Sequence, residues 1–392
     1  MPNLTWSASN YVVESPNRLL WLDSLRGIAV LGVVLVHCGL LAQSSGFLGN
    51  VTAAGQYGVQ LFFIVSAITI SMTYRQHVKK HGTSPTSAFA WLIRRVYRIW
   101  PLYAIAAFLY SIEGFILNLY FGGTFAPKID WFDIFANLIF IHTWIPSANN
   151  SVVPGGWSIS VEVMFYCIFP ILMISQGHRY FRAIFIALAM SSLAISELVN
   201  RLTFGTFAIA NNSYFYFWLP TQIPVILIGC WFYFRVFDQN PFNSRINVRA
   251  LTVTFVALSA CGLALGTWGR LSPGLSPSIF ALAFCCLAVL ASSGRVGLIA
   301  NRWISEVGVC SYSIYLVHFA LIHAARLTLK ILAVDQSHPG ILLLLLIYIP
   351  VAALSFYIAT WTRRLVEIPG IEIGRRLSAR LLSQSIPSTV LS

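Results

Sequence analysis

The stretch Leu19-Leu-Trp-Leu-Asp23-Ser-Leu-Arg26-Gly-Ile-Ala-Val-Leu-Gly-Val-Val-Leu-Val-His37 decides the fold. It is apolar and long enough to cross a bilayer as a helix, at 1.5 Å of rise per residue. Yet it carries Asp23, Arg26 and His37. Ionisable groups are costly in hydrocarbon and are kept mainly where they face a protein interior or a wet cavity. Eleven residues turn a helix through roughly 1100°, so Arg26 and His37 lie about 20° apart on one face and about 16 Å apart along the axis. One face therefore offers a cation near one membrane surface and a titratable base deep in the membrane.

The rest of the chain agrees with a membrane setting. Of 392 residues, 57% are hydrophobic and only 9% charged, with mean hydropathy +0.75. A soluble domain carries about 25% charged residues. Apolar runs near 20 residues point to helices rather than a barrel. The expected fold is an all-α integral membrane protein of about ten transmembrane helices. They cover roughly residues 20–42, 57–74, 99–120, 157–175, 182–198, 214–234, 250–268, 277–293, 306–329 and 341–361. The stretch 131–145 is apolar but short and reads as a half-helix or re-entrant element.

Charge supports this count. With the N-terminus in the cytoplasm, 20 of the 25 Lys and Arg residues fall on the inner side. The outer five are Lys128, Arg201, Arg270, Arg326 and Lys330. An eleventh span at 131–145 would invert every later loop against the positive-inside rule, so both termini are expected inside. The net charge of +13 then reflects topology, not nucleic-acid binding. Residues 1–18 form a cytoplasmic N-terminal segment without signal-peptide features, 19–369 the membrane domain, and 370–392 a cytoplasmic tail, loose from 377 onward. All seven cysteines sit in apolar stretches without CxxC or Cys/His clusters, so they read as buried hydrophobes, not as disulfides or a metal site.

Four clusters could carry chemistry. His37 could act as a base towards a hydroxyl attacking an acyl group. Glu162, in Trp157-Ser158-Ile-Ser-Val-Glu162-Val-Met-Phe-Tyr166, shares a face with Ser158 and Tyr166. It is expected at the depth of His37, where its carboxylate would orient the imidazole. Arg95 and Arg98, at i and i+3 where a basic loop enters the third span, can grip one polyphosphate. Ser311, Tyr315 and His318 share a face of the ninth span and add polar groups to the interior. Ser66 and Ala67, in the second span, read as small residues for helix packing. Tyr214, Tyr216, Trp218, Trp131 and Trp144 read as an interfacial aromatic belt that would also suit sugar stacking.

Together these segments resemble the membrane acyltransferase-3 family, the integral membrane O-acyltransferases, over about Leu19 to Pro369. Six pieces match in order. They are Leu22-Asp23-x-Leu25-Arg26-Gly27 with Arg26 eleven before His37, Gly58-Val-x-Leu61-Phe62-Phe63, Arg95-x-x-Arg98 with Pro101 and Tyr103, Trp157-Ser158-x-x-x-Glu162-x-x-Phe165-Tyr166, Ser311-Tyr312-x-x-Tyr315-Leu316-x-His318, and Glu367-x-Pro369. The resemblance implies an acyl-CoA donor, commonly acetyl-CoA, on the cytoplasmic side. It implies an acceptor that is often a sugar hydroxyl of a surface or lipid-linked glycan, and residence in a bacterial inner membrane among its lipids. It carries the arginine–histidine pair over to Arg26 and His37, the basic pair to Arg95 and Arg98, and the carboxylate to Glu162. Some relatives append a soluble hydrolase-like domain; this chain is expected to act alone or with a separate soluble partner. Two positions depart from the family. Ser66-Ala67-Ile68 stands where Ser-Gly-Phe is usual, which predicts looser packing. Gln222 stands where an Arg often occurs seven residues before Gly229.

The main competing reading is a transporter or flippase for a polar or acidic solute, which would also use a polar interior and a basic rim. Against it, the two halves show no corresponding pair of Gly/Pro-broken helices. A non-catalytic scaffold for glycan assembly would leave His37 and Glu162 without a role.

Overall fold

A computed structural model describes residues 19–121, 129–175, 179–205, 213–237, 247–267, 275–294, 297–334 and 340–384. The expected N-terminal segment 1–18, part of the expected tail (385–392) and the cations Lys128, Arg245, Arg270 and Arg295 lie outside them. Among the described residues, ten helices are long and apolar enough to cross a membrane, and no strand forms. The expected all-α, ten-span architecture is borne out.

The helices are α1 Leu20–Leu41, α2 Gly46–Ala54, α3 Gly58–His81, α4 Pro85–Phe121, α5 Trp131–Leu138, α6 Gly156–Met173, α7 Phe181–Phe204 and α8 Tyr214–Phe217. There follow α9 Leu219–Phe232, α10 Val248–Thr267, α11 Leu275–Ser292, α12 Arg302–Val309, α13 Ser311–Ile331, α14 Ile341–Thr362 and α15 Ile368–Gln384. The 131–145 region is the eight-residue α5 followed by a 3₁₀ turn at His142–Trp144, too short to span. Protein groups cover part of its buried polar surface: Asn137 Nδ2 donates to the Asp133 and Ala148 carbonyls at 2.9 and 3.2 Å. Irregular backbone at membrane depth needs such cover.

α1 is the central helix. It packs on α3, α12, α13 and α14. Its tightest approach is to α12, where Gly27 and Gly308 let the two backbones touch. A Cβ on Gly308 would run into the Asp23 carbonyl, and one on Gly27 into the Ile304 carbonyl. Small residues are how membrane helices gain close contact when lipid removes the hydrophobic drive between them. Ser24 Oγ closes the same contact by donating to the Asn301 carbonyl at 3.1 Å. The turn that carries Asp23 and Arg26 is fixed as a result.

Three expectations are corrected here. The tail is not loose from 377 onward: α15 continues to Gln384 and packs along α4. Its stripe of Gly370, Gly374 and Ser378 is buried. Gly370 faces Pro101 and the Tyr97 carbonyl, which Pro101 deprives of its helical N–H partner. Packing at Ala67 is also tight rather than loose. The small partner sits on the facing helix, for a Cβ on Gly229 would meet Ala67 Cβ at 2.6 Å. Tyr216 leaves the aromatic belt, being buried at 4% exposure, whereas Trp131 is 84% exposed.

Candidate active site

α1, α3, α4, α6 and α13 enclose a cavity of about 80 Å³. Its wall includes Arg26, Arg95, Arg98, Ser66, Thr69, Glu162, Tyr166, Ser158, Ser311, Tyr312 and Tyr315. Among the described residues, three guanidiniums thus share one cavity with a single lining carboxylate, a surplus of positive charge with forked hydrogen-bond donors.

Each arginine is held by short links to neighbouring helices. Arg26 Nη1 donates to Asp23 Oδ1 at 2.8 Å, one turn back on α1. Its Nη2 donates to Thr69 Oγ1 at 2.7 Å. Arg95 donates to Thr73 Oγ1 and lies over the Trp91 ring at 5.6 Å. For Arg98, the carboxylate that acts on it most strongly is Glu367. A π turn over Arg363–Glu367 joins α14 to α15, and the Glu367 carboxyl at its end is buried, accepting from Ser313 Oγ at 3.1 Å. π turns recur at functional sites because the extra residue re-aims a side chain.

Sequence reasoning missed several of these groups. Ser66, Thr69 and Thr73 form a hydroxyl ladder along one face of α3. Ser66 Oγ donates to Glu162 Oε1 at 2.7 Å, while Thr69 and Thr73 accept from Arg26 and Arg95. Ser66 is therefore a cavity residue and not only a packing residue. The signal was present, since hydroxyls at i, i+3 and i+7 of an apolar helix share a face.

Glu162 does not meet His37. Its Oε1 accepts from Ser66 and from Tyr166 Oη at 2.6 Å, among the arginines. Its depth is that of Ser66 and Thr69, and so of Arg26. The i, i+4 spacing correctly joins Glu162 to Tyr166, but Ser158 turns to Tyr315 Oη at 2.8 Å. Trp157 lies outside the cavity, stacked on Phe217 at 4.6 Å. Gln222 also lies outside it, in a buried amide chain. It donates to the Tyr216 carbonyl at 2.6 Å and accepts from Gln60 Nε2 at 3.1 Å.

His37 stands apart from the cavity. Its ring meets Phe319 at 4.4 Å and His318 at 5.4 Å between centroids. Tyr315 connects the two regions. It lines the cavity, its ring is 5.8 Å from His318, and its hydroxyl donates to the Gly155 carbonyl at 3.0 Å. Gly155 has φ +77°, and a Cβ there would crowd both Tyr315 and Phe319.

A bundle with ten membrane-spanning helices among its described residues, an arginine-lined cavity and a histidine pair beyond it defines a polytopic membrane protein with a polar interior. More narrowly, the chain belongs to the acyltransferase-3 family, whose model, described as "Acyltransferase domain", matches residues 19–363. The chain is 24% identical over 338 residues to the O-acetyltransferase OatA of Staphylococcus aureus (strain NCTC 8325 / PS 47), covering 79% of this chain and 51% of that protein. It is 25% identical over 324 residues to a putative O-acetyltransferase of Staphylococcus aureus (strain COL), covering 77% and 50%. The chain thus spans about half the length of the relatives it matches.

Proposed function

We propose that this chain is a membrane O-acetyltransferase, moving an acetyl group from acetyl-CoA to a hydroxyl of a surface or lipid-linked polysaccharide. Its setting is the bacterial inner membrane, with both termini cytoplasmic. The observation that carries the reading is the convergence of Arg26, Arg95 and Arg98 on one cavity, with His37 about 16 Å further along α1. The names of the relatives supply the acetyl group.

In this reading the donor phosphates dock on the guanidiniums, which offer forked, permanently charged donors. The pantetheine arm runs along α13 past Tyr315 and brings the thioester to His37. His37 accepts the proton of the acceptor hydroxyl as its oxygen attacks the thioester carbonyl carbon. The C–S bond breaks, the proton passes to the thiolate, and CoA leaves as the free thiol. Glu162, held by Ser66 and Tyr166, keeps the arginine cluster in place instead of orienting the imidazole.

The test is label transfer from radiolabelled acetyl-CoA to a cell-surface glycan fraction, by purified protein in nanodiscs. Transfer by wild type and its loss in His37→Ala and in Arg98→Ala supports the reading. Full transfer by folded His37→Ala overturns the mechanism. The absence of transfer by wild type, with saturable binding of a polar solute, turns the case towards a carrier.

A further inference from the structure

His318 is the group the proposed chemistry leaves unexplained. It is fully buried on α13, and its Nδ1 lies 3.3 Å from the Ile314 carbonyl. A carbonyl can only accept, so Nδ1 carries the hydrogen and Nε2 of the neutral ring carries the lone pair. That Nε2 is buried without a hydrogen-bond partner. A polar atom left so in a folded interior calls for an explanation, and the adjoining ring is His37. Phe319 packs against both imidazoles, at 4.4 Å from His37 and 4.1 Å from His318.

The two rings differ in freedom. His318 is locked by Ile314, Phe319 and Tyr315, and Tyr315 is itself tied to Ser158 and Gly155. His37 is only half-buried and is held by ring contacts, so its χ2 can turn. The carboxylate expected to orient it is engaged elsewhere, by Ser66 and Tyr166.

We propose that His318 is the positioning residue for His37: its Nε2 accepts the His37 N–H when the acceptor arrives, leaving the other His37 nitrogen as the base that faces the hydroxyl. The proposal rests on the acetyl-transfer reading. It fills the role a carboxylate plays in many histidine pairs with a neutral acceptor, which supports the imidazolium after proton capture and releases nothing itself. The proton moves from hydroxyl to His37 to thiolate, and His318 ends the cycle unchanged.

The experiment compares wild type, His318→Leu, His318→Gln and His37→Ala in nanodiscs. It follows thiol release from acetyl-CoA with the glycan fraction as acceptor, and thermal melting of each variant. His318→Leu is expected to lower kcat about 100-fold, in the range for a misplaced general base, with the acetyl-CoA KM within about two-fold of wild type. His318→Gln, whose amide oxygen can accept at nearly the same point, is expected to recover at least about ten-fold of that loss. The proposal is overturned if folded His318→Leu keeps wild-type kcat, if KM rises in step with the loss, or if Gln is as slow as Leu. An inactive wild type sinks the acetyl-transfer reading, and this proposal with it. An active wild type beside an active His318→Leu sinks the proposal alone.

Discussion

At the scale of single residues, the arginine cavity makes the sharpest demand. Arg98, half-buried on α4, lies in the field of the Glu367 carboxylate, which is buried at the end of the π turn between α14 and α15. A donor phosphate would offer Arg98 a second anion. Arg98→Ala should therefore raise the acetyl-CoA KM by about ten- to a hundred-fold, since a hydrogen bond to a charged group contributes about 1.5–3 kcal/mol and 1.4 kcal/mol is a factor of ten. Arg98→Lys should fall between, because a point charge cannot fork onto two oxygens. Steady-state kinetics at varied donor decides it, and an unchanged KM in Arg98→Ala removes Arg98 from the donor site. Glu367→Gln removes the carboxylate charge that acts on Arg98 and should lower the melting temperature. Added CoA should then raise the melting temperature of Glu367→Gln by more than it raises that of wild type. An equal shift would place the donor away from Arg98.

The residues of this cavity differ in how visible they are before folding. Arg26 and His37 share a face by helical arithmetic, Arg95 and Arg98 by proximity in sequence, and Glu162 reaches Tyr166 by the i, i+4 rule. All of that is local geometry. Glu162 misses His37 because depth had to be inferred from span ends, and a slip of one turn moves a side chain about 5 Å. Glu367 was legible only as part of a motif. Its role depends on α15 folding back along α4, a tertiary event with no local signature. Ser66, Thr69 and Thr73 were hidden for the opposite reason. Hydroxyls in membrane helices commonly bond to their own backbone, as Thr69 Oγ1 does to the Val65 carbonyl at 2.8 Å, and so pass for packing residues.

At the scale of elements, two contacts set the position of the chemistry. The first is the glycine contact between α1 and α12. Gly308→Val must push α12 off the Asp23 carbonyl and tilt the turn that carries Arg26. Overpacking of this kind costs about 1–3 kcal/mol. The expected result is a lower melting temperature together with a raised donor KM, and a wild-type KM would show that the Arg26 turn is held by other contacts. The second is the short α5 segment and its 3₁₀ turn, which rest on His142. Burial holds the His142 imidazole down to about 4, against an upward pull from its bond to the Gly156 carbonyl at 3.1 Å. A histidine whose folded value lies below its ordinary 6.5 stabilises fully above 6.5 and loses that contribution as pH falls towards 4. The loss amounts to at most about 3 kcal/mol. Wild type should therefore lose more melting temperature between pH 7.5 and 5 than His142→Gln does. Parallel slopes would mean that His142 does not carry the pH dependence.

At the scale of the whole molecule, the arginine cavity and the His37 ring lie at different depths of the bundle. Arg26 is near the start of α1 and His37 near its end, while α4 brings Arg95 and Arg98 to the Arg26 level. This polarity becomes a membrane-sidedness argument only through the charge distribution, in which the Arg-rich end of each span takes the cytoplasmic side. Donor and acceptor would then reach the bundle from opposite faces, and a coenzyme confined to the cytoplasm could serve a sugar outside it. Two exposed positions separate the possibilities: Thr83, between α3 and α4, and Ser45, between α1 and α2. Each is changed to cysteine in a chain whose exposed Cys167 and Cys261 are replaced by alanine. A membrane-impermeant maleimide applied to intact spheroplasts should label Ser45→Cys and spare Thr83→Cys until the membrane is opened. The reverse pattern would place the arginine cavity on the outer side, where acetyl-CoA does not reach it, and would leave the cavity to a solute taken up from outside.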